Sequence, residues 1–282
     1  MAERLAVGLD VALPRKGLDL VALDPRRQIV MSAGHLSVAD AIRLVLEDLH
    51  PLVVCIDSPA QWSTSGRRRE AERALSTLGI NSMPTPPESS ATKHHDWMRV
   101  GFSIYDRLAS RYPRYRGGQI EETAAEYFPH ASAVLLTGHI GALKDKLPFR
   151  RAVLADQGID LTPLPTVDRV DAALGALTGL IALENGHTWV GDSDEGALLL
   201  PVALLPTEPL SRLVETYSVE LIARNPAEVA KGPERTCGCG CGALVSREFR
   251  PGHDAKLRSR LIKEMASSPA ARAELKRRGW QS

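Results

Sequence analysis

The sequence predicts an α/β fold, a mixed sheet that opens with three antiparallel strands and carries helices on both faces. Three observations lead there. Extended segments at residues 5–11, 18–23 and 28–33 are joined only by the short stretches Leu13-Pro14-Arg15-Lys16-Gly17 and Asp24-Pro25-Arg26-Arg27. Turns this tight permit hairpins and leave no room for a crossover helix. The continuous apolar run 51–56, ending in Asp57, reads as a strand buried on both faces. Residues 167–184 set Val170, Ala173, Leu174, Leu177, Leu180 and Ile181 in a wide stripe at helical spacing. A mixed sheet with an antiparallel hairpin edge accommodates that order of elements.

The intervening elements follow from local signals. Ser37 caps a helix whose apolar positions are Val38, Ile42, Val45 and Leu49. A charged helix spans 67–78 and is ended by Gly79, and the stretch 81–96, with Pro84, Pro86 and Pro87, is a loop. A helix over 97–112, a strand over 123–128, a helix over 149–157 and a short strand over 188–190 complete the body. The expected organisation is a body over 1–206, a helix and linker over 207–230, and a basic module over 231–282.

Apolar residues make up 44% of the chain and charged residues 24%, a globular balance that excludes global disorder. No apolar run approaches the ~18–20 residues of a membrane span; the nearest, 197–205, is cut by Pro201. Met1-Ala2-Glu3-Arg4 leads straight into a strand without a secretory signal pattern, so the expectation is a cytoplasmic protein without a membrane partner. The net charge of +1 hides an asymmetry: residues 231–282 hold twelve lysines and arginines against five acids, so the rest of the chain is acidic. A basic tail on an acidic body points to a polyanion partner, with a solvated basic helix as the competing reading.

Asp10 ends the first strand and Asp57 the central one. Catalytic groups gather at the carboxyl ends of adjacent strands, and two acids there repel unless a hard divalent cation, Mg²⁺ or Mn²⁺, sits between them. The alternative is that each aspartate caps a turn. The late helix adds Asp168 and Asp171, three apart and on one face, close enough to share a metal. Ala172 and Ala173 beside them would let that helix pack closely on a sheet. For Asp168 in particular, complementing the helix dipole is a competing role. Converging carboxylates of this kind hold two Mg²⁺ ions about 3.5–4 Å apart, which activate a water and stabilise the leaving oxygen of a phosphodiester. His94 and His95, beside Lys93 and Arg99, are candidates for phosphate contact, against the simpler reading of a solvated loop. No Walker A or Gly-x-Gly-x-x-Gly pattern is present, which counts against an actin-like phosphotransferase.

Gly8-Leu9-Asp10, Ile56-Asp57-Ser58-Pro59, Glu126-Tyr127-Phe128-Pro129 and Asp168-Arg169-Val170-Asp171-Ala172 together resemble the family of predicted RNase H-like nucleases designated domain of unknown function 429. The resemblance covers roughly residues 4–205. It implies an RNase H-like fold whose catalytic residues are Asp10, Asp57, Asp168, Asp171 and Glu126, with Asp10, Asp57 and Asp171 as metal ligands, Asp168 as a fourth candidate, and Glu126 as the glutamate of a Glu-x-Tyr-Pro element, here with Phe128 before the proline. Arg69 and Glu72 approximate an Arg-and-acid helix after the central strand. The nuclease label of the family is itself an inference from fold.

The tail carries Cys237, Cys239 and Cys241, separated by glycines that permit the backbone to curl into a knuckle. Clustered thiols in a reducing compartment bind metal rather than each other, and His253 completes a Cys₃His set suited to structural Zn²⁺. Thr236 to Asp254 is similar to a short zinc-binding element, Cys-x-Cys-Gly-Cys followed by Phe-x-Pro-Gly-His-Asp, found on bacterial and phage proteins. Phe249, Leu257, Leu261 and Ile262 are the apolar residues on offer for a core there. Lys256, Arg258, Arg260 and Lys263 on the following helix would track a phosphate backbone without sequence specificity. The expectation is a Mg²⁺- or Mn²⁺-dependent nuclease with a zinc-bound, nucleic-acid-tethering tail; its rival is a non-catalytic adaptor on the same scaffold.

Overall fold

The computed structural model of the chain describes residues 4–141, 146–210, 235–237, 244–245, 253–264 and 268–278. The chain divides into two compact units, Met1–Leu221 and Ile222–Ser282. Among the described residues no helix is long and apolar enough to cross a membrane.

The first unit is mixed α/β. Its strands are β1 (Ala6–Asp10), β2 (Leu18–Leu23), β3 (Ile29–Leu36), β4 (Val53–Asp57), β5 (Thr123–Glu126), β6 (Thr188–Asp192) and β7 (Gly196–Leu200), in the spatial order β3-β2-β1-β4-β5-β7-β6. The first three form the expected antiparallel meander. Strands β1, β4, β5 and β7 run parallel, and β6 closes the far edge antiparallel to β7.

The helices are α1 (Val38–Arg43), α2 (Glu70–Thr77), α3 (Asp96–Leu108), α4 (Pro129–Thr137), α5 (Lys146–Asp156) and α6 (Val167–Leu183). Ser37 caps α1 by accepting a 3.1 Å hydrogen bond from the Asp40 amide, as its sequence predicts, and the helix then widens into a π-helical turn over Leu44–Leu49. Two elements escape the periodicity of the sequence. Helix α4 is apolar around almost its whole circumference and buried from Pro129 to Leu135, so it has no polar face to mark its phase. Strand β7, Gly-Ala-Leu-Leu-Leu, is buried throughout; a short apolar run cannot be assigned from pattern alone.

Strand alternation divides the core. Ala6, Val53, Cys55, Ala125 and Tyr127 face one side, with Val153 and Leu154 of α5 and the apolar stripe of α6. Val7, Leu9, Val54, Ile56 and Ala124 face the other, with Ala41 of α1 and Ile104, Tyr105 and Leu108 of α3. Helix α6 lies on β1 with almost no spacing. A Cβ on Gly8 would overlap the Ala172 carbonyl oxygen and stand 2.5 Å from the Ala176 amide nitrogen. The small residues after Asp171 thus serve close packing, as anticipated.

In the second unit, β8 (Arg235–Thr236) pairs antiparallel with β9 (Leu244–Val245). The helices His253–Glu264 and Pro269–Arg277 bury Leu257, Leu261, Ala271 and Leu275 against one another. Ile262, expected in that core, is 48% exposed; Ala271 and Leu275, from a helix absent from the sequence reading, fill the core instead.

Replacing Gly8 with alanine should lower the unfolding free energy by about 1–3 kcal/mol, the usual cost of overpacking a filled core. Chemical denaturation measures this, and an unchanged midpoint would mean that α6 is free to shift.

Candidate active site at the ends of the central strands

Asp10 and Asp57 are direct register partners on the adjacent parallel strands β1 and β4. Both stand on the α6 side of the sheet, because Gly8, two residues before Asp10, meets α6 and because Cys55, two before Asp57, belongs to the same face. Helix α6 brings the buried Asp171 to this face, held in place partly by Tyr127, whose hydroxyl donates a 2.8 Å hydrogen bond to the Asp171 carbonyl. Asp168, one turn earlier, sits at the rim and accepts a 2.8 Å hydrogen bond from Lys16 in the β1–β2 turn.

Electrostatics shows how close these acids are. Burial pushes the Asp10 carboxyl up to about 8, helped by the charges of Asp171 and Asp168 and opposed by Lys16. Burial, then Asp10 and Asp171, hold Asp57 well above the ordinary carboxylate value, with Arg150 acting the other way. Asp171 is also raised by burial, against the pull of Arg150. Carboxylates that repel at this range gain most from a proton or a cation, and their donors are hard oxygens, the chemistry that Mg²⁺ and Mn²⁺ prefer. On that ground the residues fit a divalent cation. Among the described residues no group of three or more His, Cys, Asp or Glu stands ready-made to hold a metal. A physical reason is visible at Asp171: Nη1 of the buried Arg150, on α5, donates to both of its carboxylate oxygens.

Glu126 does not join this group. It stands opposite Ile56 on β5 and shares a face with Ala124, the α3 side, so strand parity turns it away from Asp10 and Asp57. There Arg69, the N-cap residue of α2, grips it with hydrogen bonds of 2.7 and 2.5 Å and holds Glu72 at 3.1 Å. Glu72 in turn accepts from the Thr85 amide at 2.9 and 3.0 Å. The Arg-and-acid helix is therefore a buried ion-pair network, and its glutamates serve that network.

His94 and His95 pack edge-to-face at 5.9 Å, and Thr92 donates its amide to His95 Nδ1 at 3.1 Å. Arg99 stands over the Trp62 ring at 4.9 Å. In the tail, Cys237 is buried; Cys239 and Cys241 lie outside the described residues, as do the side chains of His253 and Lys256. Arg258, Arg260 and Lys263 are exposed.

Sequence reasoning passed over three groups. Lys16 sits in a turn, and Arg150 lies on a helix beside the buried Phe149, Val153 and Leu154, where a buried charge is a signal that asks for a partner. Glu195, in the β6–β7 turn, accepts hydrogen bonds from Ser63, Thr64 and Ser65 and pins the chain that leaves β4. Against its burial, those bonds hold the Glu195 carboxyl down to about 2.

A mixed α/β unit with an acidic face where two parallel strands end is the class of protein defined here. The family model described as "Protein of unknown function (DUF429)" matches residues 9–195, and the chain belongs to that family. No curated protein and no solved structure matches it.

Asp10→Asn should change stability with a definite sign. The folded state keeps the Asp10 proton up to about 8, whereas the unfolded chain releases it near the ordinary aspartate value of about 4. Wild-type stability therefore falls as pH rises between these values. Without divalent cations the variant should gain little at about pH 4 and about 1–3 kcal/mol at about pH 8.5, at ~1.4 kcal/mol per pKa unit less screening. Thermal melts across this range test it; a gain independent of pH would contradict the assignment.

Proposed function

We propose that the body is a divalent-cation-dependent phosphodiesterase of RNase H-like fold acting on nucleic acid, with Asp10 and Asp57 as the residues that hold the cation. One observation carries the reading. Among the described residues the buried acids Asp19, Glu72, Glu126 and Asp171 each hold an arginine, and Glu195 holds hydrogen bonds. Asp10 and its facing partner Asp57 have neither. A buried charge left without a partner is costly, and its retention marks a site. The three-strand antiparallel start and the acids on the first strand, the central strand and the late helix support the RNase H-like resemblance.

A divalent cation bound there supplies an activated water and a counter-charge for the leaving oxygen of a phosphodiester. The chain's own groups position the substrate. Lys16 stands at the half-open rim; partial burial works against its charge, but the hydrogen bond and charge of Asp168, and after them the charge of Asp10, raise its proton affinity overall. It is the cation placed to meet an incoming phosphate. Glu195 fixes the segment after β4 and so the approach to Asp57. In the same reading the tail is a zinc-organised tether: Cys237, Cys239, Cys241 and His253 hold Zn²⁺, and Lys256, Arg258, Arg260 and Lys263 follow a phosphate backbone. The second reading, a non-catalytic adaptor, draws on the arginine that already occupies Asp171.

Cleavage of single-stranded, double-stranded, hybrid and junction substrates with Mg²⁺ or Mn²⁺ tests the proposal. Asp10→Asn and Asp57→Asn should each cost about a hundredfold or more, several kcal/mol of transition-state stabilisation, while far-UV circular dichroism stays unchanged. Wild-type rates in both variants, or no cleavage of any substrate by the wild type, would favour the adaptor.

A further inference from the structure

The acidic face carries its own cations, and their distribution is uneven. Lys16 pairs with Asp168 at 2.8 Å and Arg169 with Asp19 at 2.5 Å. Arg150 takes both oxygens of Asp171 through Nη1 alone, and Nη2 makes no hydrogen bond among the described residues. Arg150 is 6% exposed, and its Nε is buried without a partner. It is thus held by its ion pair rather than by a network. A guanidinium does not deprotonate in proteins, so this is a permanent positive charge. It stands where a cation bridging to Asp171 would have to be.

What remains is the Asp10–Asp57 pair. Asp10 is 8% exposed, makes no hydrogen bond or ion pair among the described residues, and faces Asp57 directly in the register of β1 and β4. Two ionised carboxylates match the charge of one divalent ion. A second such ion would add two charges beside Arg150 with no unpaired acid left among the described residues to balance them.

We propose that this site takes a single divalent cation, at Asp10 and Asp57, and that Arg150 is the fixed second positive charge standing in the place of a second ion. Asp171 is then a positioning residue that holds Arg150, not a metal ligand, and Arg150 Nη2 is the donor left for a phosphate oxygen. This rests on the reading of the face as a cation site and revises the expectation of two metals with Asp171 among their ligands.

The test counts ions and needs no turnover. Mn²⁺ is titrated into the full chain, pre-loaded with Zn²⁺, and free Mn²⁺ is followed by electron paramagnetic resonance. Ions lost in the Asp10→Asn, Asp57→Asn double variant are assigned to the site. The wild type should bind about one such ion per chain through these oxygen ligands. Asp171→Asn should still bind one, more weakly, because Arg150 is then unbalanced. Arg150→Ala, which uncovers Asp171, should raise the count to two; if that variant fails to fold, Arg150→Lys should keep the count at one. Two ions in the wild type, a fall from two to one in Asp171→Asn, or a count of one in folded Arg150→Ala would overturn the role given to the arginine. No ion at all would overturn the cation site itself. One ion without cleavage would leave this inference standing and remove the hydrolytic reading.

Discussion

Helix α6 can lie directly on β1 because residue 8 has no side chain. At Gly8 the backbones of Ala172 and Ala176 come closer than any Cβ would allow. That approach sets the depth at which Asp171 meets the ends of β1 and β4. Parity does the rest. Gly8 and Asp10 point to the same side, the register puts Asp57 beside Asp10, and the acids of the sheet and of the helix end on one face. The same parity sends Glu126 to the opposite face, into the grip of Arg69. One close contact and one strand period thus decide which acids can act together.

The charge pattern on that face is a second consequence. Burial in a tightly packed sheet makes an uncompensated carboxylate costly, and Asp19, Glu72, Glu126 and Asp171 are each compensated by an arginine. The Arg69–Glu72–Glu126 network shows what structural compensation looks like: three buried charges, four hydrogen bonds among them and the loop amide of Thr85. Asp10 and Asp57 depart from that pattern, and their proton affinities rise accordingly. Arg150 lies between the two regimes. It neutralises Asp171 as a structural arginine would, yet its charge also reaches Asp57.

Much of this was legible in the sequence. Short turns declared the antiparallel start, the apolar run before Asp57 declared a buried central strand, and the stripe of 167–184 declared the helix that carries Asp171. Strand-end aspartates were readable because strand ends are local features. Helix α4 and strand β7 were not, since an element buried on all sides has no polar phase to reveal it. By sequence alone Glu126 falls with the other acids, because its face depends on the register of β4 against β5, which no local pattern encodes. Lys16 and Arg150 were missed for a related reason: their partners lie 152 and 21 residues away in the chain. Strand and helix periods record burial; they do not record which distant charge a side chain meets.

The central claim is that Asp10 and Asp57 form a facing pair that, among the described residues, no side chain holds by an ion pair or hydrogen bond. Its most direct test is the side-chain carboxyl ¹³C titration of these two residues by NMR, without divalent cations and then with Mg²⁺. The account predicts that the pair retains a proton far above the ordinary carboxylate range of about 4, with Asp10 titrating near 8, and that Mg²⁺ shifts the midpoint downward. Midpoints near about 4 for both residues, unmoved by Mg²⁺, would contradict it.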